Sequence, residues 1–269
     1  MRRSSELRVR IAALLVAAVF TAPVVVMALG SLRTPGRPPP DGFELLPDRP
    51  RTGNYATAVR LGDLAGQFAN SLLIIAVAVP VTVLVASWAG FAIATARRRA
   101  RAILLSVTVA ALMVPPVALW VPRVVFLEWL GLTDHTLVVA LPAIAATSPF
   151  YVLVFAFAYS RVPRTLFEAA TLEGLSAVRC WLLTFPPARP AAFAVAMLAF
   201  VAYWSTVIDP LLLLPSQERW PLSLGLWSLS SLDPPMYPVF LAAAVLATLP
   251  PVLVFLLAQR AFLTRTVEV

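Results

Sequence analysis

One histidine (His135), one cysteine (Cys180), thirteen acidic residues and no lysine leave this chain little material for covalent chemistry. A lone His and a lone Cys cannot form a Cys/His metal site, and a single Cys excludes an internal disulfide. No Gly-x-x-x-x-Gly-Lys run occurs to cradle a nucleotide. No pair of carboxylates falls inside an apolar run, so general acid–base catalysis is not indicated, and we assign no catalytic residue, metal or cofactor. What remains is recognition. Hydroxyls and aromatic rings sit within apolar stretches at Thr147, Ser148 and Tyr151, and again at Tyr203, Trp204, Ser205 and Thr206. Polar residues at bilayer depth are costly and often line a cavity. Rings of Tyr and Trp suit the C–H faces of a sugar, and hydroxyls can pair with its hydroxyls. The same groups also serve as ordinary helix–helix hydrogen bonds, so both readings stand. Asp209-Pro210 either breaks a helix to shape an outer gate or is simply a carboxylate at the membrane edge.

The elements that would carry these residues are read from the composition. Of 269 residues, 60% are hydrophobic and 13% charged, and the mean hydropathy is +0.87. A soluble domain usually has about a quarter of its residues charged. The apolar residues fall in runs of the length that crosses roughly 30 Å of hydrocarbon at 1.5 Å per residue. Six spans are expected, over about 11–30, 71–95, 102–121, 137–159, 190–214 and 239–257. The first is too long for a signal h-region and is read as an uncleaved span. The fold class is therefore all-α integral membrane: a cytoplasmic segment over 1–10, then one transmembrane domain over 11–269. The Pro- and Arg-rich segment 31–68, with Pro38-Pro39-Pro40, is expected to hold no span of its own, and 215–238, with Pro215, Pro221, Pro234, Pro235 and Pro238, to be largely irregular. Pro115-Pro116, Pro149 and Pro250-Pro251 fall inside spans and are expected to kink them.

A net charge of +8 ordinarily suggests nucleic acid, but here the arginines sit at the ends of apolar runs. With the N-terminus inside, the inner segments hold fourteen arginines and four acids, and the outer ones seven and nine. Arg97, Arg98, Arg99 and Arg101 are the strongest instance of the positive-inside rule and read as a topology anchor. Both termini are thus expected in the cytoplasm of a multi-pass protein whose solvent is membrane lipid, with no nucleic acid partner.

That axis puts residues 160–189 inside, and this loop differs from the others. Thr165 followed by Glu168 fits a capping box, Gly174 is a natural stop, and Ser176 can start a second helix that Pro186-Pro187 would end. The expectation is a helix–turn–helix at the inner surface between the fourth and fifth spans. Small Ala169 and Ala170, flanked by Leu166, Phe167 and Leu172, let the first helix approach a partner's groove closely. From the residues alone, a docking helix and a plain interfacial connector are equally open.

Glu168-Ala169-Ala170, three residues, then Gly174 resembles the EAA loop of the membrane-spanning permeases of ABC importers. Glu173 stands where the carbohydrate branch usually has Asp. Of that family's later Ile-x-Leu-Pro, aligned with Thr184 to Pro187, this chain keeps only the last residue. The resemblance continues through Asn70-Ser71-Leu72, Leu112-Met113-Val114-Pro115 and Gly131-Leu132. Phe200, Trp204, Asp209-Pro210-Leu211, Pro221-Leu222-Ser223-Leu224-Gly225 and Gln259-Arg260 are similar to the maltose-permease-like, carbohydrate branch. Ser205 departs from it, standing where Asn is usual.

This resemblance implies a permease subunit that forms half of a translocation pathway with a second, related permease. It implies two cytoplasmic ATPase subunits that bind the ATP, and an extracytoplasmic solute-binding protein, at a bacterial-type cytoplasmic membrane. Glu168, Ala169, Ala170, Glu173 and Gly174 would carry the coupling to the ATPases, and the substrate would be a carbohydrate. A small polar solute such as a polyamine or phosphate is the alternative within that class. An ion-coupled secondary transporter is the alternative outside it, disfavoured because the spans hold almost no ionisable group beyond Asp209.

Overall fold

The computed structural model describes residues 2–36, 47, 49–231 and 236–263, with side chains among these from 10 to 259. Expectations placed on Pro38-Pro39-Pro40, Pro234 and Pro235, and on the Arg260 side chain, lie outside the described residues. Every regular element among those described is helical. In chain order they are α1 (Arg2–Ser31), α2 (Gly53–Leu61), α3 (Leu64–Thr95), α4 (Arg98–Leu112) and α5 (Pro116–Trp129), then a 3-10 helix at Thr136–Ala145. There follow α6 (Pro149–Ser160), α7 (Arg164–Leu172), α8 (Ala177–Ser205), α9 (Ile208–Leu213), α10 (Leu222–Ser230) and α11 (Tyr237–Leu263).

Among the described residues four stretches are long and apolar enough to cross a membrane as single helices: Arg10–Ser31, Leu64–Thr95, Ala177–Ser205 and Tyr237–Gln259. Six spans are reached only if α4 with α5, and the 3-10 helix with α6, each count as one. The kink expected at Pro115-Pro116 in the span over 102–121 is a full break, since α4 and α5 meet at 89°. The cause is local. Pro115 sits in extended backbone (φ −66°, ψ 132°) ahead of Pro116, which opens α5, and a residue before proline is pushed out of the helical region.

The prolines of the fifth span do the opposite. Pro186, Pro187 and Pro190 all lie inside α8, so the helix expected to stop at Pro186 and the span expected to begin at Pro190 are one continuous helix. Packing keeps it whole: Thr184 and Ala188, on either side of Pro186-Pro187, are both 0% exposed. Helices tolerate proline where neighbouring groups take over the freed backbone. The far end also moves, because α8 stops at Ser205 rather than near Leu214 and Thr206 is extended. The segment 215–238, expected to be largely irregular, contains α10, and 31–68 holds only the short α2 and the start of α3.

The chain divides into two compact units, residues 1–66 with 225–269, and residues 67–224. In the first, α1 and α11 pack together, with Gly30 so close to Leu241 that a Cβ there would make the leucine's methyl tip shift. A helix end leaves its last carbonyls without intrahelical partners. Buried Asn54 of α2 supplies one side chain for two carbonyls at the end of α1, donating to Ser31 O and Arg33 O at 2.7 Å each. In the second unit α6 packs against α8 and α4 around Phe155, Ala156 and Tyr159. Gly90 of α3 meets the α6 backbone, where a Cβ would come within 2.7 Å of Ala156 N. The other end is tied by the start of α3. Asn70 donates to the carbonyls of Glu218 (2.8 Å) and Trp220 (3.1 Å), and Ser71 accepts from Leu222 N (2.8 Å).

Candidate functional site

The loop between α6 and α8 is built from two helix-end devices. Glu173 caps α7, and Gly174 follows at φ +68°. Gly174 N–H donates to Thr171 O (3.1 Å) and Leu175 N–H to Ala170 O (3.0 Å), the paired reverse bonds of a Schellman motif. Ser176 then caps α8 by accepting from Arg179 N. The expected start of α7 is corrected. Thr165 is not the cap, because Pro163 takes that place in extended backbone and no side-chain cap bond forms, so Glu168 has no capping partner.

This geometry divides the five candidate coupling residues. Glu168, Ala169, Glu173 and Gly174 are exposed, whereas Ala170 is buried at 2%. Ala170 shares the inward face with Leu166 and Phe167, which pack on the core of the second unit, Phe167 against the Phe91 ring at 6.2 Å. The largest apolar side chain on the outward face is Leu172, 89% exposed and absent from the sequence-based site. Its signal was a leucine between Thr171 and Glu173 on a helix too short to bury both faces. The arrangement is a shallow outward face of small residues with one leucine and two carboxylates. Such a surface does no bond chemistry but fits a groove.

The membrane-depth candidates are partly drawn together. The 3-10 helix ends on two consecutive left-handed residues that are not glycine, Ala146 (φ 60°) and Thr147 (φ 59°). Each such residue costs on the order of 1–3 kcal/mol and persists only where surroundings enforce it. Here Thr147 Oγ1 shares hydrogen bonds with Thr82 Oγ1 (2.5 Å) and Tyr203 OH (2.8 Å). Thr82, one of several hydroxyl residues in α3, is not among the residues that the sequence singled out. Ser148 caps α6 by accepting from Phe150 N, and Tyr151 is buried beside it. Ser205 donates to its own helix at Val201 O, Ser223 donates to Thr206 O, and Trp204 stacks on Phe200 at 5.7 Å. Hydroxyls of Thr147, Tyr203 and Ser205 thus already have protein partners.

Asp209, the candidate gate carboxylate, pairs with Arg123 of α5. Arg123 was also missed, its only signal being a base in an otherwise apolar outer segment. In the neighbouring loop Asp134 accepts from Ser216 Oγ (2.7 Å) and Ser216 N (3.1 Å), with Arg219 at 3.4 Å. Hydrogen bonding from the Ser216 hydroxyl, helped by its amide and by Arg219 and opposed by desolvation, holds this carboxyl below the usual carboxylate range. His135 is exposed, and Cys180 packs against the core. Among the described residues no cluster of three His, Cys, Asp or Glu could hold a metal.

Comparison with known proteins places this arrangement. Residues 78–268 match the family described as "Binding-protein-dependent transport system inner membrane component". The lactose transport system permease LacG of Rhizobium radiobacter is 31% identical over 210 residues, covering 78% of this chain and 76% of that one. The diacetylchitobiose uptake permease NgcG of Streptomyces coelicolor is 26% identical over 245 residues, covering 90% and 81%. The arabinooligosaccharides permease AraQ of Halalkalibacterium halodurans is 29% identical over 197 residues, covering 73% and 70%. The fold is also that of a chain in the crystal structure of a bacterial ABC transporter involved in alginate import. That likeness has a TM-score of 0.77 at 18% identity and covers 97% and 98% of the two chains. The chain therefore belongs to the binding-protein-dependent inner-membrane permeases of ABC importers, an all-helical multi-pass protein that works with a solute-binding protein and with ATPase activity on separate subunits.

Proposed function

We propose that this permease imports a mono- or oligosaccharide, forming half of the pathway beside a second, related permease, with two ATPases serving the pair and one docked on α7. The observation that carries the coupling role is the split of α7. Ala170, Leu166 and Phe167 hold it to the core while Glu168, Ala169, Leu172, Glu173 and Gly174 face outward. A connector helix would have no need to leave Leu172 89% exposed. Support for sugar comes from the relatives named for lactose, diacetylchitobiose and arabinooligosaccharides. The arginine distribution supports both termini, and α7, on the cytoplasmic side. ATP itself would be bound by the partner subunits, and this chain needs no cofactor. The strained, hydrogen-bonded Thr147 and Tyr203 are read as shaping the pathway more than touching sugar, and Arg123–Asp209 as closing its outer end.

The test is ATP-dependent uptake by vesicles holding this chain, the permease and ATPases encoded beside it, and the matching binding protein. Labelled lactose, diacetylchitobiose and arabinotriose are offered, with putrescine and phosphate as controls. Uptake of a sugar alone is expected. Uptake of putrescine or phosphate with no sugar would overturn the substrate assignment.

A further inference from the structure

Where α3, α6 and α8 come together next to α7, three side chains form a hydrogen-bonded chain whose centre is sealed from solvent. Trp181 Nε1–H donates to Ser87 Oγ at 2.9 Å, and Ser87 shares a bond with Tyr159 OH at 2.7 Å. Ser87 and Tyr159 are both 0% exposed. Rings surround the chain: Trp88 stacks on Trp181 (5.4 Å), and Phe91 meets Tyr159 edge-on (5.7 Å). Each member comes from a different helix, Ser87 from α3, Tyr159 from the last turn of α6, and Trp181 from the second turn of α8. We infer that Ser87, Tyr159 and Trp181 are positioning residues, the joint through which displacement of α7 is delivered to α3 and α6 together. This rests on the coupling role proposed above.

The path is short. Only four residues separate α7 from α8, and two of them, Gly174 and Ser176, are fixed by the helix-end bonds already described. A push on α7 therefore reaches Trp181 in the second turn of α8 with little slack. Apolar contacts alone resist sliding weakly because they have no direction. A buried hydrogen bond does have direction, and inside a low-dielectric core it is costly to leave unmade. Trp181 thus carries α3 with it through Ser87, and Ser87 carries α6 through Tyr159. Gly90 seated on the α6 backbone at Phe155 and Ala156 makes the α3–α6 pair move as one. At its other end α6 begins just after the left-handed pair Ala146-Thr147, where the chain can turn.

The test uses the whole transporter in lipid discs, with Cys180→Ser removing this chain's one thiol, labelling read on this chain's own band, and Leu211→Cys or Leu212→Cys placing a reporter on α9. Both leucines are exposed. The rate of labelling by a membrane-impermeant maleimide is measured with and without ATP–vanadate. With the joint intact, trapping is expected to change the rate at one reporter by about fivefold or more, the lower end of ordinary site-to-site coupling. Trp181→Phe, Tyr159→Phe and Ser87→Ala each remove one polar group and keep most of the packing. Each is expected to abolish that response while the ATPases still co-purify and hydrolyse ATP, and the triple variant should be no worse than a single one. Phe185→Leu, which loses the ring beside Trp181 (5.6 Å) but no hydrogen bond, should keep the response. An undiminished response in the three single variants overturns the inference. Loss of ATPase binding in them also overturns it, since the trio would then only support the docking site. A Phe185→Leu loss as large as theirs overturns it too, by making packing the cause. If the intact protein responds at neither reporter, the coupling role falls and the inference falls with it.

Discussion

Gly174 offers the sharpest test of the loop, because its contribution can be worked from one angle and its immediate surroundings. At φ +68° it lies where side chains with a Cβ are disfavoured, yet a Cβ built there meets nothing within 4 Å. The cost of Gly174→Ala is therefore conformational alone, about 1–2 kcal/mol for a left-handed L-residue. Asn tolerates that region better and should cost less. Gly174→Pro is different in kind: its φ is locked near −65°, and it deletes the N–H that bonds Thr171 O at 3.1 Å. That variant cannot keep the motif, so the last turn of α7 and the cap of α8 must both rearrange. If α7 docks an ATPase only in this shape, a penalty of 1–2 kcal/mol lowers the docking-competent fraction by a factor of about 5–30 once that shape is the minority. The assay is ATP-driven uptake and ATP hydrolysis measured side by side in reconstituted vesicles. The expected order of uptake per ATP is wild type, then Asn, then Ala, with Pro fully uncoupled. Wild-type transport by Gly174→Pro would refute the reasoning, because no route exists by which proline preserves the observed backbone.

Three further outcomes follow from other sites. Leu172→Asp changes a side chain that is almost wholly exposed, so the thermal midpoint of the purified permease should stay within the small range of surface changes, about ±0.5 kcal/mol, while ATPase co-purification falls; a fall in midpoint with docking unchanged would contradict the outward assignment. Asn54→Ala strands the carbonyls of Ser31 and Arg33, and should cost about 1–3 kcal/mol, read as a lowered midpoint in detergent. Asp134 has a folded-state pKa below its ordinary value, so its stabilising effect is fully present above that ordinary value and is lost as pH falls through the folded one. Wild type and Asp134→Asn should therefore converge in midpoint on acidification below about pH 4, and a difference that persists or widens there would show the sign to be wrong.

How much of this was legible beforehand depended on how far away the deciding partner lay. Gly174 and Ser176 were readable because their effects are closed within a few residues: each bonds a backbone group only three positions away. Glu168-Ala169-Ala170 was readable as a motif, but not which of its residues faces inward, since that is set by Phe91 and the α3 surface far off in sequence. The helical class was legible in the composition, because a bilayer core lets backbone groups pair only within helices or closed barrels and the apolar runs have helical length. The break after Ala145 carried no sequence signal beyond Pro149. Neither Ala nor Thr favours the left-handed region, and what holds them is Thr82, 65 positions back, and Tyr203, 56 ahead.

The prolines make the same point more severely, for one residue type gave three outcomes. Pro115-Pro116 broke the chain through 89°, Pro149 opened a helix, and Pro186, Pro187, Pro190, Pro250 and Pro251 stayed inside helices. Proline removes one donor and constrains the preceding residue, in every context alike. At Pro116 the preceding Pro115 sits in extended backbone, and residues 109–119 around the pair are all exposed, so nothing packs the turn into a helix. At Pro186-Pro187 the same pairing stays helical, in a turn whose Thr184 and Ala188 are both fully buried. The turn before it holds Trp181, so the helix that survives its prolines is the one running from the α7 loop into the core. A break at Pro186, as local rules expect, would have severed the loop from the span it must move. The continuity of α8 is a result of packing that the proposed coupling role would also require.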